Sequence, residues 1–533
     1  MDGSGQFSSP WRAAWPPRWL SDARCRLLLL IILVLGIACH TAYLTIQPTI
    51  GLSGDEAHYW DWSRQLDWNY YSKGPLVALI IRAGCSVFGN TMLGVRFPAL
   101  LLGAANLLCI YWITRRIFKS HATALLAVVL CHLVPMFVAG SLLMTIDPPY
   151  FLCWGLATCF GYLATVEEKR WAWPVAGIAV GVGFLAKYAA PLWLVCLLIY
   201  LIAVKSQRRW LKTPWPYLTI VVALLFTIPA ILWNIQHDWV SFGHVARSTS
   251  ENQSHFSPLS ILGNVGELIG SQIGILNPVI AGLMIAAIVR AVGLIRRLSW
   301  QSDALAYLLC TSLPFFGFVL LVTLRKNAEP NWPVVTYFSL VPLTAWLIAG
   351  TWPKCRGWLI GAASVGLVAM FVAHFSGVLY PVVKAPPRRW DPSFRLRDGQ
   401  AIGQRVSELL AKMPPGTFVI SDKYQQASQM AFYVKGQPKT YCLGPYIQDL
   451  EGRDRLSQFN IWPDRDLSQP ALRGRDAVFV GHPPADLKRV FERVEPLPDM
   501  PIVFHGRTLR EQKIVLCYGF KGMTLPNDGL INR

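Results

Sequence analysis

Arg26–Gln47 reads RLLLLIILVLGIACHTAYLTIQ, and this stretch decides what kind of chain it belongs to. A basic flank (Arg18, Arg24, Arg26) precedes a run of roughly twenty mostly apolar residues, enough to cross a hydrocarbon core of about 30 Å. A cleaved signal peptide would have a shorter apolar region, of about 7–15 residues, and a small-x-small cleavage site. The stretch therefore reads as a retained membrane anchor. The remainder of the chain has the same character. Of its 533 residues 53% are hydrophobic and 15% are charged, against roughly 25% charged residues in globular domains.

Further apolar stretches fall at 91–118, 121–141, 149–166, 171–188, 190–204, 216–234, 278–298, 304–324, 332–350 and 357–380. Residues 258–277 are Gly-rich and modestly apolar, and they read as either an interfacial segment or a short re-entrant pair. The net charge of +19 would suit a nucleic-acid partner were it not for its placement. Arg115/Arg116/Lys119, Lys169/Arg170, Lys205/Arg208/Arg209/Lys212, Arg290/Arg296/Arg297 and Lys354/Arg356 all sit between apolar stretches. Short basic loops mark the cytoplasmic side, and placing them there gives about eleven crossings. The basic excess is thus a topology signal, and no nucleic-acid partner is expected. The N-terminal segment 1–25 is then cytoplasmic and the transmembrane domain covers 26–384. A C-terminal extracytoplasmic domain, 385–533, follows the Pro/Arg-rich junction Ala385–Asp391. In it Thr417–Ser421, Ala477–Gly481, Ile502–His505 and Ile514–Tyr518 read as short strands and Lys423–Val434 as a helix, a small α/β fold.

Of the 12 Cys, most lie in apolar stretches and act as small hydrophobes. No CxxC or Cys/His zinc spacing is present, and His58 and His237 have no matching ligand set. Cys442 and Cys517, in the last domain, are candidates for pairing.

The polar loops carry the chemistry, and under this topology they converge on one membrane face. Ser53-Gly54-Asp55-Glu56 fits a capping box, with Glu56 reaching back to Ser53 and Asp55 in the first helical turn. Tyr59, Trp60, Trp62, Leu66 and Trp68 make the following segment aromatic-rich, as expected of an interfacial helix. Asp147, in Asp147-Pro148-Pro149, reads either as a helix N-cap or as an ionisable group serving function at the edge of a span. Lys73 and the pair Arg325/Lys326 are cations on the side where the charge rule does not ask for them. They read as solvated or snorkelling side chains, or as a clamp on a phosphate leaving group. Lys187 suits either part. His58, His237, Glu329 and Asn331 lie in the same loops and form the candidate acceptor region.

Asp55-Glu56-Ala57-His58-Tyr59-Trp60 through Tyr70-Tyr71-Ser72-Lys73-Gly74-Pro75 resembles the first extracytoplasmic loop of bacterial glycosyltransferases with the GT-C membrane fold. The group includes lipid A aminoarabinose transferases and rhizobial lipopolysaccharide galacturonosyltransferases, with protein O-mannosyltransferases more distant. Met144-Thr145-Ile146-Asp147-Pro148-Pro149, Leu185-Ala186-Lys187-Tyr188, Trp233-Asn234-Ile235-Gln236-His237-Asp238-Trp239, Glu329-Pro330-Asn331-Trp332 and Tyr424-Gln425-Gln426-Ala427-Ser428 extend the resemblance over most of the chain.

The resemblance implies an all-α polytopic domain of about 11–13 transmembrane helices with an interfacial helix in its first periplasmic loop, plus the small C-terminal α/β domain. It implies an inner-membrane enzyme with a periplasmic active site. Such an enzyme moves a sugar from a polyprenyl-phosphate donor to a glycolipid, glycan or protein acceptor. Asp55 matches the family's catalytic base or acceptor-positioning aspartate and Asp147 its second acidic position. Tyr59, Tyr70 and Lys73 match positions near the carrier phosphate; on charge alone, and not from the resemblance, Arg325 or Lys326 is expected to help Lys73 hold it. Ser72 stands where aminoarabinose transferases have a Glu implicated in metal binding. No cofactor is therefore required by this reading, and a divalent metal is in doubt. A lipid-sugar transporter would instead show internal repeats and broken helices at the midplane, and no convincing repeat is present. A membrane scaffold would leave the loop acids unexplained.

Overall fold

The structure, a computed structural model, describes residues 15–17, 19–46, 50–250, 258–295, 301–384, 391, 393–444, 456–484 and 487–523. Arg18, Arg296, Arg297 and residues 385–390 of the Pro/Arg-rich junction lie outside these. The chain divides into two compact units, each discontinuous in sequence. One comprises Met1–His40, Ala99–Ile231 and Ala246–Met370, and the other Thr41–Pro98, Leu232–Val245 and Phe371–Arg533.

Among the described residues seven helices are long and apolar enough to span a membrane, and nine spans result if each of two bent pairs is one. The chain is a multi-pass membrane protein. Helices Asp22–Ile46, Met92–Phe118, Pro278–Ile295, Asp303–Thr323, Trp332–Gly350 and Arg356–Leu379 match the expected stretches, and Pro258–Leu276, left ambiguous by its composition, is a continuous helix. The bends have a chemical cause. His121–His132 and Pro135–Leu142 meet at 75° because Pro135 offers no N–H and pushes Val134 into extended backbone (φ −99°, ψ 109°). Pro229 sits similarly just after the 41° break between Trp215–Leu225 and Ile228–Gln236.

Within the first unit, small residues let helices approach closely. A Cβ at Gly155 would stand 2.4 Å from the Phe338 ring, and one at Gly161 would meet the Tyr307 hydroxyl at 2.4 Å. Such contacts replace the hydrophobic effect, which does not drive helix association in lipid. Hydrogen bonds fasten the same packing. Tyr307 Oη donates to the Thr158 carbonyl (2.7 Å), Trp193 Nε1 to Thr158 Oγ1 (3.1 Å) and Asn277 Nδ2 to the Ala362 carbonyl (2.8 Å).

The second unit contains a five-stranded sheet ordered β2-β1-β3-β7-β4 and a separate hairpin, β5–β6. The strands are β1 (Phe418–Ser421), β2 (Thr440–Cys442), β3 (Ala477–Val480), β4 (Phe491–Pro496), β5 (Met500–Phe504), β6 (Arg507–Gln512) and β7 (Ile514–Phe520). β1 runs parallel to β2 and β3, while β7 is antiparallel to β3 and β4. β1 and β3 are buried along their whole length, which is why they read as unbroken apolar runs. Phe418, Ile420 and Phe479 enter one core with Phe491 and Phe520. Val419, Val478 and Val480 enter another with Ile402, Val406 and Met430. The four expected strands and the expected helix (Tyr424–Tyr433) are present. β2, β4, β6 and the helix Gly399–Leu410 are additional.

Two expectations are corrected in this unit. Cys442 and Cys517 are both buried free thiols. They lie on β2 and β7, three strand positions apart, or about 14 Å at ~4.8 Å per strand, beyond disulfide reach. The aromatic-rich helix Gly54–Arg64 does not lie with one face in lipid. Glu56 through Ser63 are all buried, and Trp60 packs edge-on against Phe432 of the helix Tyr424–Tyr433 at 4.9 Å. The exposed aromatic and aliphatic groups are Trp68 and Leu66, beyond the helix end.

Candidate active site

Asp147 opens the helix Asp147–Thr165, with Ile146 at the N-cap and Pro148 and Pro149 in the first turn. Its carboxylate does not cap that helix. Oδ1 accepts from Lys187 Nζ at 2.9 Å and Oδ2 from Asn331 Nδ2 at 2.6 Å. Lys187 ends the helix Ala172–Ala186 in extended backbone, which turns its side chain toward Asp147 and brings its ammonium 5.2 Å from the Tyr150 ring centre. The pair is sheltered, with side chains 16% and 15% exposed. Two donors on two different oxygens fix the plane of the carboxylate. Asp147 also lines an apolar crevice walled by Ile37, Leu100, Leu107, Phe137 and Phe151. The unit therefore presents an oriented anion, a cation and an amide at the edge of a surface suited to a hydrocarbon chain.

The loop cations of this unit are placed less tightly. Arg325 is exposed and Lys326 half-buried, its ammonium 5.7 Å from the Trp332 ring centre. Glu329 is exposed, and its carbonyl accepts the Trp332 N–H at 3.0 Å.

In the second unit the expected capping box is formed. Glu56 N–H donates to Ser53 Oγ (3.1 Å) and Ser53 N–H to Glu56 Oε2 (3.0 Å). Sequence reasoning missed the partner that completes it. Arg96 grips Glu56 with Nε to Oε1 at 2.8 Å and Nη2 to Oε2 at 2.7 Å, and Nη2 also reaches the Gly51 carbonyl at 2.7 Å. Both side chains are essentially inaccessible. An ionisable residue near the start of the apolar helix Met92–Phe118 was the available signal. Glu56 is thus a latch, and it leaves the adjacent Asp55 on the exposed side of the first helical turn.

The neighbouring loop is built by its own hydrogen bonds. Asn69 Nδ2 donates to Ser241 Oγ (3.0 Å), Ser241 Oγ to the Tyr70 carbonyl (2.8 Å) and Trp233 Nε1 to Asp67 Oδ2 (2.8 Å). Lys73, half-buried, follows this anchored turn, its carbonyl accepting the Tyr70 N–H at 3.1 Å. Tyr59 is 8% exposed, 5.1 Å from the Trp62 ring.

Three predicted site residues have structural surroundings. Tyr70 is fully buried and stacked on Trp62 at 4.3 Å. Its hydroxyl lies 3.1 Å from both the Trp62 and the Gln65 carbonyls, and burial pushes its pKa up. It therefore braces the loop and does not offer its hydroxyl to a phosphate. His58 accepts from Trp62 Nε1 at Nε2 (3.1 Å), so its Nδ1 carries the proton and donates to Ser428 Oγ (2.9 Å). Burial, with the nearby Arg465 charge, lowers its pKa to about 3, and this core position removes it from the acceptor region. His237 donates Nδ1–H to the Trp233 carbonyl (2.8 Å) and stacks on that indole at 3.9 Å, which assigns it to turn packing. A buried ion pair, Arg465 with Asp61 (3.1 Å), completes the core beside His58. Among the described residues no group of three His, Cys, Asp or Glu is disposed to hold a metal.

This geometry has relatives. The family model for dolichyl-phosphate-mannose-protein mannosyltransferases matches residues 72–233. A lipid A galacturonosyltransferase of Rhizobium johnstonii is 28% identical over 418 residues, covering 76% of this chain and 82% of its own. The fold matches that of ArnT from Cupriavidus metallidurans bound to undecaprenyl phosphate. Its TM-score is 0.63 and its identity 16%, over 92% of this chain and 97% of that one. The chain is a GT-C-fold membrane glycosyltransferase. The undecaprenyl phosphate-α-4-amino-4-deoxy-L-arabinose arabinosyl transferase of Pseudomonas paraeruginosa is also 28% identical, over 235 residues. That match spans about two fifths of either protein, 42% of each. The family segment of the transferase includes Asp147 and Lys187 and begins beyond Asp55.

Proposed function

We propose that the enzyme transfers a sugar from a polyprenyl-phosphate donor to a cell-envelope glycolipid, at the periplasmic face of the bacterial inner membrane. The observation that carries this reading is Asp147, clamped between Lys187 and Asn331 on the border of an apolar crevice. A lipid-linked sugar needs a dry wall for its chain beside polar groups that orient the reacting end. The donor supplies its own phosphate leaving group, so the protein's work is to position the acceptor and stabilise charge in an oxocarbenium-like transition state. Asp55, exposed and set by the Glu56 latch, is the base or positioner for the acceptor. Lys73, in the same unit as Asp55, holds the departing phosphate electrostatically, without a metal.

The galacturonosyltransferase relative matches far more of the chain than the aminoarabinose transferases do. Ser72 also replaces the acidic residue of the latter. Both points favour a uronic acid as the sugar and a lipid A-type glycolipid as acceptor.

The test is release of free polyprenyl phosphate from a panel of undecaprenyl-phosphate sugars by purified protein in nanodiscs. Wild type should release it with a preferred sugar and respond to added envelope glycolipid, while Asp55→Asn should lose about 10²–10⁴-fold if Asp55 is a base. Full activity of Asp55→Asn would sink the residue assignment, and no release from any donor would sink the reaction.

A further inference from the structure

We infer that the first unit carries a binding site for an acidic phospholipid where the ends of three helices meet, remote in kind from the sugar-transfer chemistry and independent of it. Three segments meet there: the start of Asp22–Ile46, the last turns of Met92–Phe118, and the end of Asp147–Thr165 with the loop that follows. Between them lies an open crevice of about 810 Å³, with Arg26, Arg116 and Lys169 on its lining.

The charges at this crevice do not cancel. Arg116 is neutralised by Glu167 through two bonds of 2.7 and 2.6 Å, and Glu167 is held below its usual carboxylate range by that contact. The loop's second carboxylate, Glu168, is taken by Arg209. Among the described residues neither Arg26 nor Lys169 has a carboxylate within ion-pair distance, so two cations are left to face an outside anion.

The rest of the lining says what sort of anion. Apart from the cations it is largely apolar, with Leu29, Leu108, Leu156 and Phe160 on its wall. Trp112 and Trp171 flank it, 36% and 56% exposed, as belt tryptophans at a membrane–water boundary do. A free phosphate would use the cations and leave the apolar wall uncovered. A zwitterionic lipid would bring its own ammonium beside two unpaired cations. An acidic lipid satisfies both parts, its phosphate bridging Arg26 and Lys169 and its acyl chain lying on Leu108 and Phe160. Basic pockets between helices on the cytoplasmic side recognise such headgroups. The bridge would also fasten the first helix, of which just 11% of the spanning window is buried.

Native mass spectrometry of the purified full chain in detergent would measure this, with phosphatidylglycerol and phosphatidylcholine of matched chains as probes. Wild type should bind phosphatidylglycerol more tightly. At about 1 kcal/mol per cation near the headgroup, Arg26→Gln/Lys169→Gln should weaken it by about 30-fold and leave phosphatidylcholine unchanged. Both side chains are exposed, so the fold should survive. Lys205→Gln/Arg208→Gln removes the same charge elsewhere and should have little effect. Equal affinity for the two lipids, no loss in the first variant, or an equal loss in the second would each overturn the site.

Discussion

Arg96→Met offers the most direct test of how the second unit holds Asp55 in place. The substitution keeps an apolar stem but removes a guanidinium that makes two bonds to Glu56 and one to the Gly51 carbonyl, all of 2.7–2.8 Å. Glu56 is 0% and Arg96 1% exposed, so no water replaces the lost partner. Removing one member of a buried ion pair costs about 3–5 kcal/mol, because the other charge is left uncompensated. For a unit of roughly 150–250 residues, each kcal/mol lowers the unfolding midpoint by about 2–4 °C. The expected loss is therefore about 6–20 °C, read by the unfolding temperature of the purified protein in detergent. Removing both charges, as Glu56→Gln/Arg96→Met, should recover part of it, because a buried pair can be replaced by neutral groups far more cheaply than it can be halved. Transfer measured well below the new midpoint should fall about 10²-fold, the effect of misplacing a positioned group by about 1 Å. A midpoint within about 2 °C of wild type, or a double variant less stable than Arg96→Met, would refute the latch.

Asp147 and Lys187 should behave as one unit. Asp147→Asn and Lys187→Met should each depress transfer strongly, and the double variant should be no worse than the weaker single one; additive losses in log rate would separate their roles. His58 makes the second unit acid-sensitive. Its folded pKa of about 3 lies below the usual 6.5, so the unfolded state binds the extra proton. The stability it contributes is complete above about pH 6.5 and drains away between there and about pH 3, by on the order of 5 kcal/mol. His58→Gln should flatten the pH dependence of unfolding in that window, and an unchanged profile would argue against the buried neutral ring. Thorough treatment with EDTA should leave transfer intact; a loss restored by added divalent metal would mean that carboxylates take part in metal binding after all.

Much of the fold was legible because it depends on short-range composition. A run of apolar residues spans a bilayer wherever it occurs, and the prolines that bend two of the helices act on their immediate neighbours. The buried strands β1 and β3 are apolar on both faces, so four-residue runs betray them. β4 and β6 bury few side chains and have no such signature. Ser53 and Glu56 form a capping box across three residues, and that too can be read locally. Arg96 could be noticed as a charge in an apolar helix, but its partner could not.

The amino-acid order alone thus determined a membrane-embedded chain, where most of its helices lie, and which loops carry acids, cations and aromatics. The tertiary structure decided which of those groups are tied into the core and by which partners. Asp147 meets Lys187 40 residues away and Asn331 184 residues away, separations that no local pattern encodes. Tyr70 and His58 belong to the same polar, aromatic-rich stretch as Asp55, yet their hydrogen bonds close inside the core. Burial is a property of what packs around a side chain, and for these residues the packing comes from segments distant in sequence: Ser428 reaches His58 across 370 positions.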